Sequence, residues 1–253
     1  MKKFISLILV LILTAGLFVG CSSEVPAPTE SSVKATETPT ESPTEPPTEA
    51  KTVSDCISMY EEGSYVNGYD NKTYEYAMPI LSIDGEAAEQ FNKTIKEKYD
   101  SCINDFNTYA NFDGSTYYDG YSSTEYIANI NDDVLSLVVV FHTTFVDTID
   151  YININIYTGE ELSDEQLLDA ISLNFEDIKD KVKSSIEDYY VEQYGSEFTY
   201  SSGNADMLSK TLSDDNIDAT HFYLGENKEL YAIFDIYYAI QGGQNTATTQ
   251  IVM

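Results

Sequence analysis

Residues 151–157 read Tyr-Ile-Asn-Ile-Asn-Ile-Tyr, and residues 134–146 read Val-Leu-Ser-Leu-Val-Val-Val-Phe-His-Thr-Thr-Phe-Val. The first run alternates with a period of two, Ile to one side and Asn or Tyr to the other, as a strand with one apolar face does. The second is apolar on both faces at its start, which suits a central strand. Between them Asp147 to Asp150 can turn a hairpin. Working downstream, Thr158-Gly159 breaks the strand, and Ser163-Asp164-Glu165-Gln166 has the form of a capping box that opens a short helix through Leu167 and Leu168. A second amphipathic helix follows Asn174, with Phe175, Ile178, Val182, Ile186 and Tyr189 on one face. Residues 195–219 read as irregular. Leu230, Ala232, Phe234, Ile236 and Tyr238 then alternate along a strand, Gly242-Gly243 bends it, and Thr246 to Val252 forms the last strand.

Working upstream, residues 107–125 break all periodicity and read as a loop. Before it, Asp84 caps the first amphipathic helix, whose apolar positions Ala88, Phe91, Ile95, Tyr99, Cys102 and Phe106 follow the helical spacing. Lys72 to Ile80 reads as a strand with a turn at Pro79, and the folded part begins near Cys56. Two helices on one side of an antiparallel sheet bury all these faces most simply. The expected class is α+β, one domain over residues 55–253.

The N-terminus carries a different message. Met1-Lys2-Lys3 and the apolar run Phe4 to Phe18 form a secretory signal, and Leu17-Phe18-Val19-Gly20-Cys21 has the form of a lipobox. Cleavage after Gly20 would remove residues 1–20 and leave Cys21 as a lipid-modified N-terminus. A membrane-spanning helix is the competing reading of the run, but a small residue before a lone Cys, followed by Ser22-Ser23, favours the anchor. Residues 21–54 repeat Pro-Thr-Glu and hold six of the seven prolines. Such a segment cannot bury apolar surface and reads as an extended tether, reaching on the order of 100 Å. The expected location is the outer face of a bacterial cytoplasmic membrane.

The chain has 43 acidic residues against 13 basic ones, for a net charge of −30, and every basic residue is Lys. With no Arg there is no bidentate fork for phosphate, and a field this negative repels nucleic acid, anionic headgroups and anionic wall polymers. Cationic proteins, divalent cations and uncharged sugars are the compatible partners. Simple solubility of an exported protein also accounts for the acidity.

Chemistry-bearing motifs are sparse. His142 and His221 fall in different strands with no His or Cys at ligand spacing, so no zinc site is expected. There is no Gly-x-Ser-x-Gly elbow, no P-loop and no dinucleotide fingerprint, and no cofactor is expected. Asp214-x-Asn216-x-Asp218 has the first spacings of a calcium loop, but Ala219 stands where Gly is needed and Glu226 falls one place late. Cys56 and Cys102 are the candidate disulfide pair of an exported domain. Tyr117, Tyr118 and Tyr121 sit on the polar 107–125 loop and have the character of binding-surface anchors; folding back on the core is their alternative.

Three passages carry a resemblance. They are Tyr74-Glu75-Tyr76-Ala77-Met78-Pro79-Ile80 running into Phe91-Asn92-Lys93-Thr94-Ile95, then Tyr151 to Leu168, then His221 to Leu224 with Leu230 to Tyr237. In order and spacing, residues 70–253 resemble the extracellular domains of RsiV-type anti-sigma factors and PdaC-type peptidoglycan deacetylases. The family's Gly-Gly-Ala-His turn is replaced by Phe145-Val146-Asp147-Thr148-Ile149-Asp150. Cleavage at Cys21 would leave no cytoplasmic segment, and no metal-binding catalytic domain is expected in residues 55–253, so the resemblance implies a stand-alone binding or sensing module. Some RsiV-type domains bind lysozyme, a cationic protein, which makes such a protein or a wall glycan the expected ligand. The alternatives are a cell-wall glycan hydrolase with unassigned carboxylates and a structural envelope lipoprotein.

Overall fold

The computed structural model describes residues 50–253 except 116–117, 144–145, 195–201 and 241–242. Cys21 and the Pro-Thr-Glu segment lie outside the described residues. After a short turn α1 (Val53–Cys56), the order is β1 (Ile57–Val66), β2 (Thr73–Leu81), α2 (Glu86–Ala110), β3 (Tyr121–Asn131), β4 (Val134–Thr143) and β5 (Thr148–Asn155). Then come α3 (Asp164–Ala170), α4 (Phe175–Tyr194), α5 (Ser202–Thr211), α6 (Asp214–Asp218), β6 (His221–Leu224), β7 (Leu230–Ile240) and β8 (Gly243–Val252).

The class is α+β, but the strands form two sheets where the sequence suggested one. The larger has the order β1-β2-β3-β4-β5 and the smaller the order β6-β7-β8. One neighbouring pair is parallel: β2 and β3 meet at the single register position Tyr76 and Thr124, reinforced by the Thr124 hydroxyl donating to the Ala77 carbonyl at 2.9 Å. The cause is α2, which carries the chain back to the end where β2 began, as a crossover between parallel strands must.

The two faces of β4 explain its doubly apolar pattern. Leu135, Leu137, Val139 and Phe141, with Ile152, Ile154 and Ile156, join Ala88, Ile95, Tyr99, Cys102 and Phe106 of α2 in one core. Val138 and Val140 point the other way and meet Tyr223 and Ile233 of the small sheet. The far face of that sheet, Phe222, Leu224, Ala232, Phe234, Ile236 and Tyr238, is covered by Leu167, Leu168, Ile178, Val182, Ile186, Tyr190, Met207 and Ile217. The layers therefore run helix α2, large sheet, small sheet, helices α3 to α6. On α4 the fully buried tyrosine is Tyr190, and Tyr189 lies beside it, partly buried.

The Asn side of the β5 pattern is not a solvent side. Asn153 and its cross-strand partner Ser136 are each 1% exposed and face the open edge of β6. The Ser136 hydroxyl donates to Asn153 Oδ1 at 2.6 Å and accepts the Leu224 N–H at 3.1 Å. Asn153 Nδ2 donates to the Phe222 carbonyl at 2.8 Å. Asn131 Nδ2 donates to the Gly225 carbonyl at 2.9 Å, and Asp164 of α3 accepts the Phe222 N–H at 2.8 Å. A buried sheet edge needs partners for its backbone groups. Here polar side chains of the neighbouring layers supply them.

Other expectations are corrected by local detail. The N-cap of α2 is Gly85, with φ +143°, and not Asp84. Within 195–219 the described residues form helices α5 and α6. The calcium-like triplet is α6 itself: the Ser213 hydroxyl caps it, Asp214 pairs with Lys183 at 2.7 Å, Asp218 pairs with Lys179, and Asn216 Nδ2 donates to the Thr211 and Asp235 carbonyls at 2.7 and 2.9 Å. Cys56 and Cys102 are buried free thiols. The Cys56 carbonyl accepts the Ser82 N–H, and Asn92 binds Leu81 through both its amide atoms, so Cys56 is level with Asn92 on α2. Cys102 lies ten residues further on, about 15 Å along the axis, where a bridge requires Cα atoms within about 7 Å. Burial pushes the Cys102 thiol up to about 12.

Candidate functional site

A concavity of about 780 Å³ lies between the first half of α2 and β5. Glu86, Ala87, Gln90, Phe91, Thr94 and Ile95 form one wall, Ile149 to Ile152 the other, and Thr158 to Glu161 close one end. That end is built by backbone approach. Residues 160–162 turn back onto β5, Glu160 accepting the Asn155 N–H and Leu162 donating to the Asn153 carbonyl. A Cβ on Gly159, whose φ is +71°, would stand 1.9 Å from the Asp84 carbonyl oxygen, so only Gly lets the turn meet the start of α2.

The cleft has an apolar floor of Phe91, Ile95 and Ile152 beneath four carboxylates, Glu86, Asp150, Glu160 and Glu161, and no lysine lines it. Asp150 is paired with Lys98 at 3.0 Å, which offsets its charge and leaves Glu86, Glu160 and Glu161 as the cleft's main source of field; the Lys98 ammonium is itself 3.8 Å from the centre of the Phe141 ring. Low-dielectric walls concentrate a field of one sign in such a cleft. A cation on an apolar stem, as in Lys or Arg, suits both parts of this lining.

A shallower groove of about 680 Å³ opens where β2 and β3 diverge beyond their one paired position, lined by Glu62, Glu75, Tyr76, Glu125, Tyr126 and His142. His142 is held from both ring nitrogens, Nδ1 3.0 Å from Asp147 and Nε2 3.5 Å from Glu125. The Asp147 hydrogen bond raises its pKa against the opposing effect of burial. His221 Nδ1 lies 2.8 Å from Asp164, and that hydrogen bond likewise raises its pKa. Both histidines thus pair with carboxylates, and no cluster of three metal-capable side chains occurs among the described residues.

The tyrosine loop divides. Tyr117 lies outside the described residues. Tyr118 turns inward, edge-on to Tyr109 at 4.8 Å, its hydroxyl donating to Asp105 at 2.5 Å. Tyr121 begins β3, its ring 5.7 Å from Phe141 and its N–H donating to the same Asp105 at 2.9 Å. Among the described residues, the most exposed ring at this end of the molecule is Tyr69, at 65%, in the β1–β2 turn Asn67-Gly68-Tyr69-Asp70-Asn71-Lys72. The turn chemistry of Asn-Gly and Asp-Asn was the available signal for it. No protein-family model matches this chain, and no curated protein matches it.

Proposed function

We propose that this protein is a binding or sensing module of the bacterial envelope, held at the outer face of the cytoplasmic membrane through lipidated Cys21, and that its α2–β5 cleft receives a cationic protein. The observation that carries the reading is the cleft itself: four carboxylates above an apolar floor, with no lining lysine, in a chain of net charge −30. The order of sequence motifs, which resembles RsiV-type extracellular domains, supports a partner of the lysozyme kind. Residues 21–54 would hold the domain away from the bilayer, where such a protein arrives. Electrostatic complementarity of this sort accelerates encounter and selects against anionic partners.

Calorimetric titration of residues 49–253, which form one compact unit, with a cationic lysozyme tests this. Binding at 1:1 that survives about 0.15 M salt, where exposed charges are screened beyond about 8 Å, is the expected result. A Glu86→Gln/Glu160→Gln/Glu161→Gln variant should bind at least about ten-fold more weakly, a loss of about 1.4 kcal/mol. A Glu165→Gln/Asp169→Asn variant on α3 should bind as the parent does. Equal affinity in all three, or no heat with the parent, rejects the cleft as the binding site.

A further inference from the structure

We infer that the β1–β2 turn is a docking platform for an uncharged sugar ring, with Tyr69 as the stacking residue. This site is separate from the acidic cleft and does not rest on the reading given to it.

Tyr69 is the most exposed large apolar side chain among the described residues. Its neighbours at this end are committed to one another: Tyr65 stacks on Tyr74 and Phe106, and Tyr109 meets Phe112 and Tyr118. The Tyr69 ring touches that cluster only through an edge contact with Phe112 at 6.0 Å and 66°. Its position is nevertheless fixed. A Cβ on Gly114 would lie 2.2 and 2.3 Å from two carbons along one edge of the Tyr69 ring, so that edge packs against the glycine while the side chain as a whole stays 65% exposed.

The turn that presents the ring is equally constrained. Asn67, 4% exposed, accepts the N–H groups of Tyr69 at 2.8 Å and Asp70 at 3.0 Å. Its own N–H donates to the Lys72 carbonyl at 2.9 Å, and the Gly68 N–H donates to the Tyr109 carbonyl at 3.2 Å. A Cβ on Gly68 would come within 2.7 Å of the Phe112 carbonyl oxygen, which shows how closely the turn is pressed onto the end of α2. A rigid tyrosine loses little conformational freedom when it binds, so this turn is preorganised for contact.

The surroundings select the ligand. The open face of an aromatic ring fits the C–H face of a pyranose. Asp113, exposed and next to Gly114 in sequence, supplies an acceptor for sugar hydroxyls, whereas the Asp70 carboxylate is engaged within the turn by the Lys72 ammonium at 3.2 Å and the Tyr74 hydroxyl at 3.4 Å; hydrogen bonds from the Lys72 N–H (to Asp70) and from Ser115 (to Asp113) hold both carboxyls below the usual range. The acidic surface disfavours anionic polymers. A tip one ring wide is also far smaller than the roughly 800 Å² per partner of a stable protein interface. It suits the repeating unit of a neutral glycan.

Amide NMR titration of residues 49–253 with a neutral N-acetylglucosamine tetramer, and separately with a neutral glucan oligomer, provides the test. At least one should shift residues 66–72 and 112–115. Tyr69→Ala should weaken that response at least ten-fold with an unchanged unfolding midpoint, while Tyr69→Phe should keep it within about three-fold. A Glu160→Gln/Glu161→Gln variant should respond as the parent does, which keeps this site distinguishable from the cleft. The inference is overturned if neither sugar shifts these residues at about 10 mM, beyond any affinity useful to a single site, if Tyr69→Ala responds as the parent does, or if only a polylysine peptide shifts the turn.

Discussion

Replacing Asn153 with Ala probes the layer arrangement most directly. The side chain is 1% exposed and makes two hydrogen bonds, donating to the Phe222 carbonyl and accepting from the Ser136 hydroxyl. Its loss leaves one carbonyl and one hydroxyl buried without that partner, at about 1–3 kcal/mol each. Ser136 can turn its hydroxyl but is still needed as acceptor for the Leu224 N–H, so the lower part of the range applies to it. The sum is about 3 kcal/mol, roughly a fifth to three fifths of the stability of an ordinary domain. In a unit of this size that lowers the thermal midpoint by about 6–12 °C. Urea unfolding followed by far-UV circular dichroism measures it, and the urea midpoint should fall with an unchanged m-value. Ser136→Ala/Asn153→Ala together should cost less than the two single changes added, because the two side chains are partners. A cost below about 0.5 kcal/mol, the level of an exposed position, would refute the claim that these side chains hold the small sheet's edge.

Three further outcomes are expected. The raised pKa values of His142 and His221 mean the native state favours their charged forms, so the stability from these pairs is complete below about 6.5 and is lost as pH rises through the folded values. The gap in urea midpoint between the parent and a His142→Gln/His221→Gln variant should therefore narrow from pH about 5.5 to about 8.5; a constant or widening gap contradicts the pairing. Gly159→Ala places a Cβ 1.9 Å from the Asp84 oxygen at positive φ and should cost upward of about 1–3 kcal/mol in chemical denaturation. Gly63→Ala meets only the flexible end of Tyr76 at 2.8 Å and should cost under about 1 kcal/mol; equal costs would refute the glycine requirement. Residues 49–253 should show no thiol reactive with a disulfide reagent when native and two once unfolded in denaturant without reductant. None in the unfolded chain would mean that Cys56 and Cys102 are bridged.

The elements that could be read from sequence are those whose burial repeats at the local period. Ile152, Ile154 and Ile156, the Leu230 to Tyr238 alternation and the Ala88 to Phe106 spacing each state a strand or helix within one window. β1 and β3 escaped that reading. β1 is a sheet edge with Glu61, Glu62, Gly63 and Ser64 in its middle, and β3 opens with Tyr-Ser-Ser-Thr-Glu, a composition that reads as loop. Helices α5 and α6 escaped for the same reason, being short and polar, and α6 is stabilised by distant partners in Lys179, Lys183 and Asp235. The exposure of Tyr69, one tyrosine among 21, has no local signature because it depends on which neighbours fill the core first.

Sequence alone therefore determined the α+β class, the two long amphipathic helices and the central strands, because backbone periodicity and side-chain polarity act over a few residues. The tertiary structure decided that the strands divide into two layered sheets. Asn153, Ser136 and Asn131 look like solvent-facing polar positions in one dimension, yet they bond to a strand edge 69 to 94 residues away. It also decided the cleft, since Glu86, Asp150 and Glu161 share one wall system only after α2 is laid across β5. Which polar residue is buried, and which carboxylates face one another, depends on contacts between distant segments, and no local pattern encodes those.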